Sequence, residues 1–366
     1  MIAATAYYAL FLMVVTMFSL IIGLRYSRMS ATVDLRRGEH DIPMSFLVIA
    51  VIVFIGLRPE SYLFVDMMNY VQGYHAFLEG TPFRMDWTAE NFLFDNLFAW
   101  VGSQTLGTTF FFFVIAAIYF GAAWWGIRRL FPRDAALAYL AFLGAFSTFS
   151  YGTNGIKAGA AASLFILALS YCGKWVPCLV LMVVTLGFHH SMQMPLAAFV
   201  LALLWKNPKQ FFWGWLFCLA CAAAHVSFFQ ELFAGMTDES GKDYLNAVGS
   251  DWGGNAGFRI DFVLYSAMPV WVGWYAIYKH HIRSRMYDIL LKVYLTTNAV
   301  WMLCMYASFT NRIAYLSWSI YPVVLIYPLC CEEWGPTRHR TLSRIFLAHL
   351  AFTIFMQWIY YGYVKG

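Results

Sequence analysis

What most constrains this chain is the sorting of its basic residues between long apolar runs. Of 24 Lys and Arg residues, most bracket those runs in short clusters: Arg25/Arg28/Arg36/Arg37, Arg128/Arg129/Arg133, Lys174, Lys206/Lys209, Lys279/Arg283/Arg285 and Arg338/Arg340/Arg344. Lys and Arg resist translocation, so short basic loops mark the cytoplasmic side of a membrane protein. The chain is 61% hydrophobic and only 12% charged, roughly half the charge of an ordinary soluble domain. An all-α, polytopic integral membrane protein is therefore expected. The net charge of +5 is what the inner loops require and gives no reason to expect nucleic acid.

Apolar runs between polar breaks predict about twelve transmembrane helices. They lie near 3–24, 42–57, 106–127, 135–150, 157–172, 175–190, 192–205, 210–226, 260–278, 288–309, 313–330 and 345–362. With the amino terminus outside, this order places every basic cluster on the inner side and both termini outside. No basic segment precedes the first run, which reads as a retained helix rather than a cleaved signal. Two outer loops are long, near 58–105 and 227–259. In the first, Asn91 to Trp100 has apolar residues at helical spacing, as an interfacial helix would. The second, rich in glycine and acids, reads as a lid. No internal repeat or soluble domain interrupts residues 1–366, which read as a single polytopic membrane domain. The cysteines Cys172, Cys178, Cys218, Cys221, Cys304, Cys330 and Cys331 all fall in apolar segments or at their inner ends, and read as packing residues.

Seven cations remain on the outer side: Arg58, Arg84, Lys157, Lys242, Arg259, Arg312 and Lys365. Arg84 and Lys242 are loop residues and Lys365 a tail. The other four stand at helix mouths, within five patches that could carry chemistry. Arg58 closes the second span and is followed by Asp66 and Tyr70, which suggests a paired, oriented guanidinium. Asn154-Gly155 makes a tight turn that leaves Lys157 in the first turn of a helix of small residues, where free amides and the charge favour an anion. Phe188-His189-His190-Ser191 brings an imidazole to the outer face, suited to proton transfer near neutrality. Adjacent histidines diverge on a helix and no Cys or Glu completes a set, so no metal and no cofactor is expected. Arg259 and Asp261 are two apart and need not face each other on a helix, and each could pair with the opposite charge from another loop. Thr310-Asn311-Arg312 reads as a sharp turn. Asp288 and Lys292 read as a plain helical ion pair, and the Arg338–Arg344 cluster as a solvated inner loop.

These patches, in this order, resemble the EpsG/Wzy-like polysaccharide polymerases of bacterial inner membranes. The likeness lies in Arg58…Asp66…Tyr70, Asn154-x-x-Lys157-x-x-Ala160, Phe188-His189-x-Ser191, Arg259-x-Asp261-Phe262 and Asn311-Arg312-Ile313, and covers roughly 45–330. Two positions depart from the family pattern: Lys157 stands where arginine is usual, and Phe64-Val65 precede Asp66 where a glycine is favoured. The resemblance implies a GT-C-like membrane enzyme joining undecaprenyl-pyrophosphate-linked oligosaccharide repeats at the periplasmic face. In that reading Arg58, Lys157, Arg259 and Arg312 bind the pyrophosphate, and the same Arg312 acts in catalysis. Asp66, His189 and Asp261 are candidate bases, and Tyr70, Asn154 and Trp252 are candidate sugar contacts. A chain-length regulator, a flippase and membrane lipid are the implied partners, without a metal. A glycolipid flippase remains an alternative, as does another outer-face transferase such as an O-antigen ligase or an acyltransferase.

Overall fold

The computed structural model describes residues 2–30, 35–38, 41–75, 77, 82–226, 228, 257–307, 310–331 and 333–358. Among them every regular element is helical. Four helical stretches are long and apolar enough to cross a membrane: Ala4–Arg28, Thr108–Leu130, Ile260–Tyr278 and Thr310–Cys331. Shorter apolar helices cover Asp41–Gly56, Ile156–Ser170, Trp175–Phe188 and His190–Leu204. The chain is an all-α membrane protein. It forms two compact units, the first from residues 1–189 with 335–366 and the second from 190–334.

The first unit contains α1 (Tyr7–Arg28), α2 (Asp41–Gly56), α3 (Met67–His75), α4 (Phe92–Ser103) and α5 (Thr108–Leu130). It continues with α6 (Ala135–Leu143), α7 (Thr148–Thr153), α8 (Ile156–Ser170) and α9 (Trp175–Phe188), and closes with the carboxy-terminal helix (Arg338–Gln357). α1 buries a narrow seam, Tyr7, Phe11, Val15, Ser19, Gly23 and Tyr26, spaced so that one stripe faces its neighbours. The Ser343 hydroxyl of the last helix donates to the Gly23 carbonyl at 2.7 Å across that seam. α5 is the axis of the unit and packs on α2 and α8. At Gly126 it approaches α8 so closely that an added Cβ would stand 3.0 Å from the Leu167 backbone. Small residues permit such contact where hydrocarbon gives no drive for association.

The second unit contains α10 (Gln193–Leu204), α11 (Pro208–Ala223), α12 (Ile260–Tyr278), α13 (Arg285–Leu303), α14 (Thr310–Trp318) and α15 (Tyr321–Cys331), with the final helix of the first unit numbered α16. α13 is its axis, packed on α10, α11 and α14. Asn298 at its centre is fully buried and satisfied on both sides. It accepts from Trp215 Nε1 at 2.8 Å and donates to Ser266 Oγ and Ser317 Oγ at 3.1 and 3.0 Å. One side chain thereby ties α11, α12, α13 and α14, and a buried polar network of this kind specifies a single packing.

The observed helices depart from the expected spans at definite places. The run 135–150 is broken into α6 and α7: Gly144 caps α6, and the Thr148 hydroxyl takes the Phe142 carbonyl. Residues 58–105 are partly helical, as α3 and α4, and α4 covers the expected helix at 91–100. α16 starts at Arg338 rather than near 345. Arg338 is only partly solvated: its Nη2 lies 2.7 Å from Asp134, whose side chain is 1% exposed and also accepts from Tyr26 at 2.7 Å. Burial pushes the Asp134 carboxyl up, and the neighbouring Arg338 charge counteracts this. The 310–312 segment is the first turn of α14 rather than a turn before it. Lys292 does more than pair with Asp288. Only 1% exposed, its ammonium also donates to the Trp205 and Lys206 carbonyls at 2.9 and 3.2 Å, capping α10. No disulfide joins the seven cysteines among the described residues. Most of the 227–259 loop lies outside the described residues.

Candidate active site

Arg58 follows the end of α2 and is 3% exposed. Its Nη1 donates to the Ile55 carbonyl at 2.8 Å, so the side chain folds back over its own helix end, where orphan carbonyls await donors. Its Nη2 donates to the Thr153 carbonyl at 3.0 Å, across to the end of α7. The guanidinium lies over the rings of Phe112 and Phe64, 4.7 and 5.4 Å from their centroids. Burial lowers its pKa to about 10, partly opposed by Tyr7, and leaves it protonated at neutral pH. No carboxylate among the described residues pairs with it, which corrects the expected Arg58–Asp66 pair. The reason is geometric: both terminal nitrogens turn to backbone carbonyls, Ile55 and Thr153, while the buried Nε meets no acceptor among the described residues.

Thr153 immediately precedes the Asn154-Gly155 turn, so Arg58 braces the segment that presents Lys157. Gly155 opens α8, and Lys157 stands in its first turn, half-buried. At Gly159 an added Cβ would lie 2.6 Å from the Tyr151 carbonyl, so only glycine lets α7 fold back this tightly on α8. Among the described residues the Lys157 ammonium makes no hydrogen bond or ion pair. It lies 5.7 Å above the ring of Phe94. The Asn154 Oδ1 is buried and has no hydrogen-bond partner among the described residues.

Phe94 and Phe112 belong to one aromatic floor. Tyr70 on α3 sits edge-on to both, at 5.8 and 6.2 Å, and Phe188 at the end of α9 meets Phe94 at 6.4 Å. The first unit thus brings the first two sequence patches together and places the third at the edge of the same floor. His189 caps α9 in extended conformation, its N–H on the Thr185 carbonyl at 3.2 Å, and is half-buried. Asp66 directly precedes α3 and is also half-buried.

The electrostatics follow from these contacts. Neutral carbonyls and ring faces hold Arg58 and Lys157 without cancelling their charge. Ring quadrupoles attract a cation weakly, by about 0.5–2 kcal/mol, and leave it able to bind an anion. The first unit thus holds two cations against one aromatic floor, near an amide oxygen with no hydrogen-bond donor among the described residues.

The second unit holds the other cations. Arg259 and Asp261 pair with each other, at 3.0 Å through Nε and 2.5 Å through Nη2. The two therefore face each other despite the i, i+2 spacing. Arg259 is the non-helical N-cap of α12, and its side chain reaches forward to Asp261 in the first turn. Arg259 also lies 4.4 Å over Phe262. Arg312 is exposed in the first turn of α14. Trp252 lies outside the described residues.

Sequence reasoning missed Phe64, Phe94, Phe112 and the Thr153 carbonyl as parts of the site. Phe64 occupies a stretch that departs from the family pattern, and that departure was the available signal. No group of three or more His, Cys, Asp or Glu side chains that could hold a metal occurs among the described residues. The family model described as the EpsG family matches residues 41–365 of this chain. No curated protein matches it, and no solved structure does.

Proposed function

The chain belongs to the EpsG family, and from that premise we propose that it is a metal-independent polysaccharide polymerase. It joins oligosaccharide repeats carried on undecaprenyl pyrophosphate at the periplasmic face of the bacterial inner membrane. The proposal includes the GT-C-like arrangement of about twelve spans with both termini outside. The observation that carries it is the juxtaposition of Arg58 and Lys157 through the Thr153 carbonyl, on aromatic rings and without a described carboxylate to neutralise them.

In the reaction, a hydroxyl of the incoming repeat attacks the anomeric carbon of the growing chain. A glycosidic bond forms, the bond from that carbon to the pyrophosphate oxygen breaks, and the lipid pyrophosphate leaves with the electron pair. The hydroxyl proton passes to a base, for which Asp66 and His189 of the first unit and Asp261 of the second are candidates. Negative charge grows on the leaving group, where fixed cations help most because they need no reorganisation. Lys157, the less buried of the pair, meets the phosphate, while Arg58 supplies charge from beneath and holds the turn. Tyr70 and Asn154 face the sugar beside it, with Trp252 as a further contact. Arg259 and Arg312 of the second unit are the further pyrophosphate-binding candidates that the family resemblance supplies, and Arg312 is also a catalytic candidate. Association with a flippase and a chain-length regulator belongs to the same reading.

The test is purified protein in bilayers supplied with lipid-linked repeats, the products resolved as a ladder on a gel. Chain growth is expected. Uptake or flipping of the repeat without growth would contradict the reading and favour a transporter.

A further inference from the structure

The second unit contains an open groove of about 350 Å³ between α10, α11 and α13. Its walls are two helical rows, Phe211, Gly214 and Trp215 on α11 and Leu295, Ala299 and Leu303 on α13. Along α13 the lining rises about 12 Å. Trp215 is 3% exposed and its indole is fixed by Asn298, so this wall is rigid. The lining is almost entirely carbon. Thr296 turns its hydroxyl back to the Lys292 carbonyl at 2.9 Å, and Gln210 accepts from the Trp205 indole. Trp205 and Gln210 mark one end of the groove. Beside them in the chain stand Lys206 and Lys209, both exposed. Asp288, at the same end, is held by Lys292. An uncharged trough with two exposed cations at one end matches an amphiphile with a hydrocarbon tail and an anionic head.

We propose that this groove binds one acyl chain of an anionic phospholipid, with its phosphate at Lys206 and Lys209. A polyprenyl tail, methyl-branched and far longer than the trough, fits it less well. The assignment does not depend on the polymerase reading, since it uses neither the first unit nor the cations at its site.

Native mass spectrometry of the purified full chain, titrated with phosphatidylglycerol or phosphatidylcholine, tests the proposal. Phosphatidylglycerol should be retained with roughly tenfold preference or more, as two lysines near an anionic headgroup provide. Gly214 offers a clean way to fill the groove, because an added Cβ there meets nothing within 4 Å. Gly214→Phe should abolish retention of the lipid. The surface double variant Lys206→Gln/Lys209→Gln should keep the groove and lose the preference for the anionic head. Equal retention of the two lipids by the wild type would overturn the proposal. So would unchanged retention in a folded Gly214→Phe protein, an unchanged preference in the lysine double variant, or displacement of phosphatidylglycerol by undecaprenyl phosphate at equal concentration.

Discussion

Arg58 and Lys157 carry the same charge but are anchored differently, and their variants should differ accordingly. Arg58 is buried and donates to two helix-end carbonyls. Arg58→Ala should therefore lower stability by about 2–4 kcal/mol, from unmade hydrogen bonds and the void left behind, read as a fall in thermal midpoint of the purified protein. Lys157 rests only on the face of Phe94 among the described residues. Lys157→Met should cost no more than about 1 kcal/mol. Arg312 is exposed, so Arg312→Ala should fold and express normally while polymerisation is lost, and wild-type ladders would remove it from the mechanism. The cations were legible because they break the charge sorting of a membrane protein. Their aromatic supports were not, since phenylalanine is unremarkable in a chain with 34 of them. The Arg259–Asp261 pair was hidden for another reason: the spacing rule assumes a helix, and Arg259 stands just before one.

At the level of elements, hydropathy located most of the apolar helices but not α3, nor the polar contacts that end or break the others. The Lys292 ammonium stabilises the carboxy-terminal end of α10 from α13, a contact across 87 residues that no local pattern reveals. Lys292→Met should cost about 2–3 kcal/mol through lost charge-assisted hydrogen bonds. Asp288→Asn should cost less, because its carboxylate is a third exposed. Thermal unfolding of both variants checks the order. The same limit explains the missed break between α6 and α7, where a threonine hydroxyl replaces a helical donor inside an apolar run. The α7–α8 fold-back is under a stricter constraint. Gly159→Val should disturb the turn bearing Asn154 and Lys157, and lower polymerase activity by an order of magnitude or more while membrane insertion persists.

For the whole molecule, composition and charge sorting made the all-α membrane class legible, and five ordered patches pointed to the family. The division into two compact units was not legible, because hydropathy reports depth in a bilayer and carries no record of which helices pack together. Topology is open to direct labelling: in a background with the seven cysteines substituted, Leu245→Cys should react with a membrane-impermeant maleimide added outside. Labelling only after permeabilisation would invert the arrangement. The proposal that Arg58 and Lys157, with no carboxylate paired to them among the described residues, seat a lipid-linked pyrophosphate is tested most directly by the Lys157 series. In the ladder assay with lipid-linked repeats, Lys157→Met should abolish chain growth while the protein stays folded, and Lys157→Arg should retain it. Wild-type ladders from Lys157→Met would contradict the account.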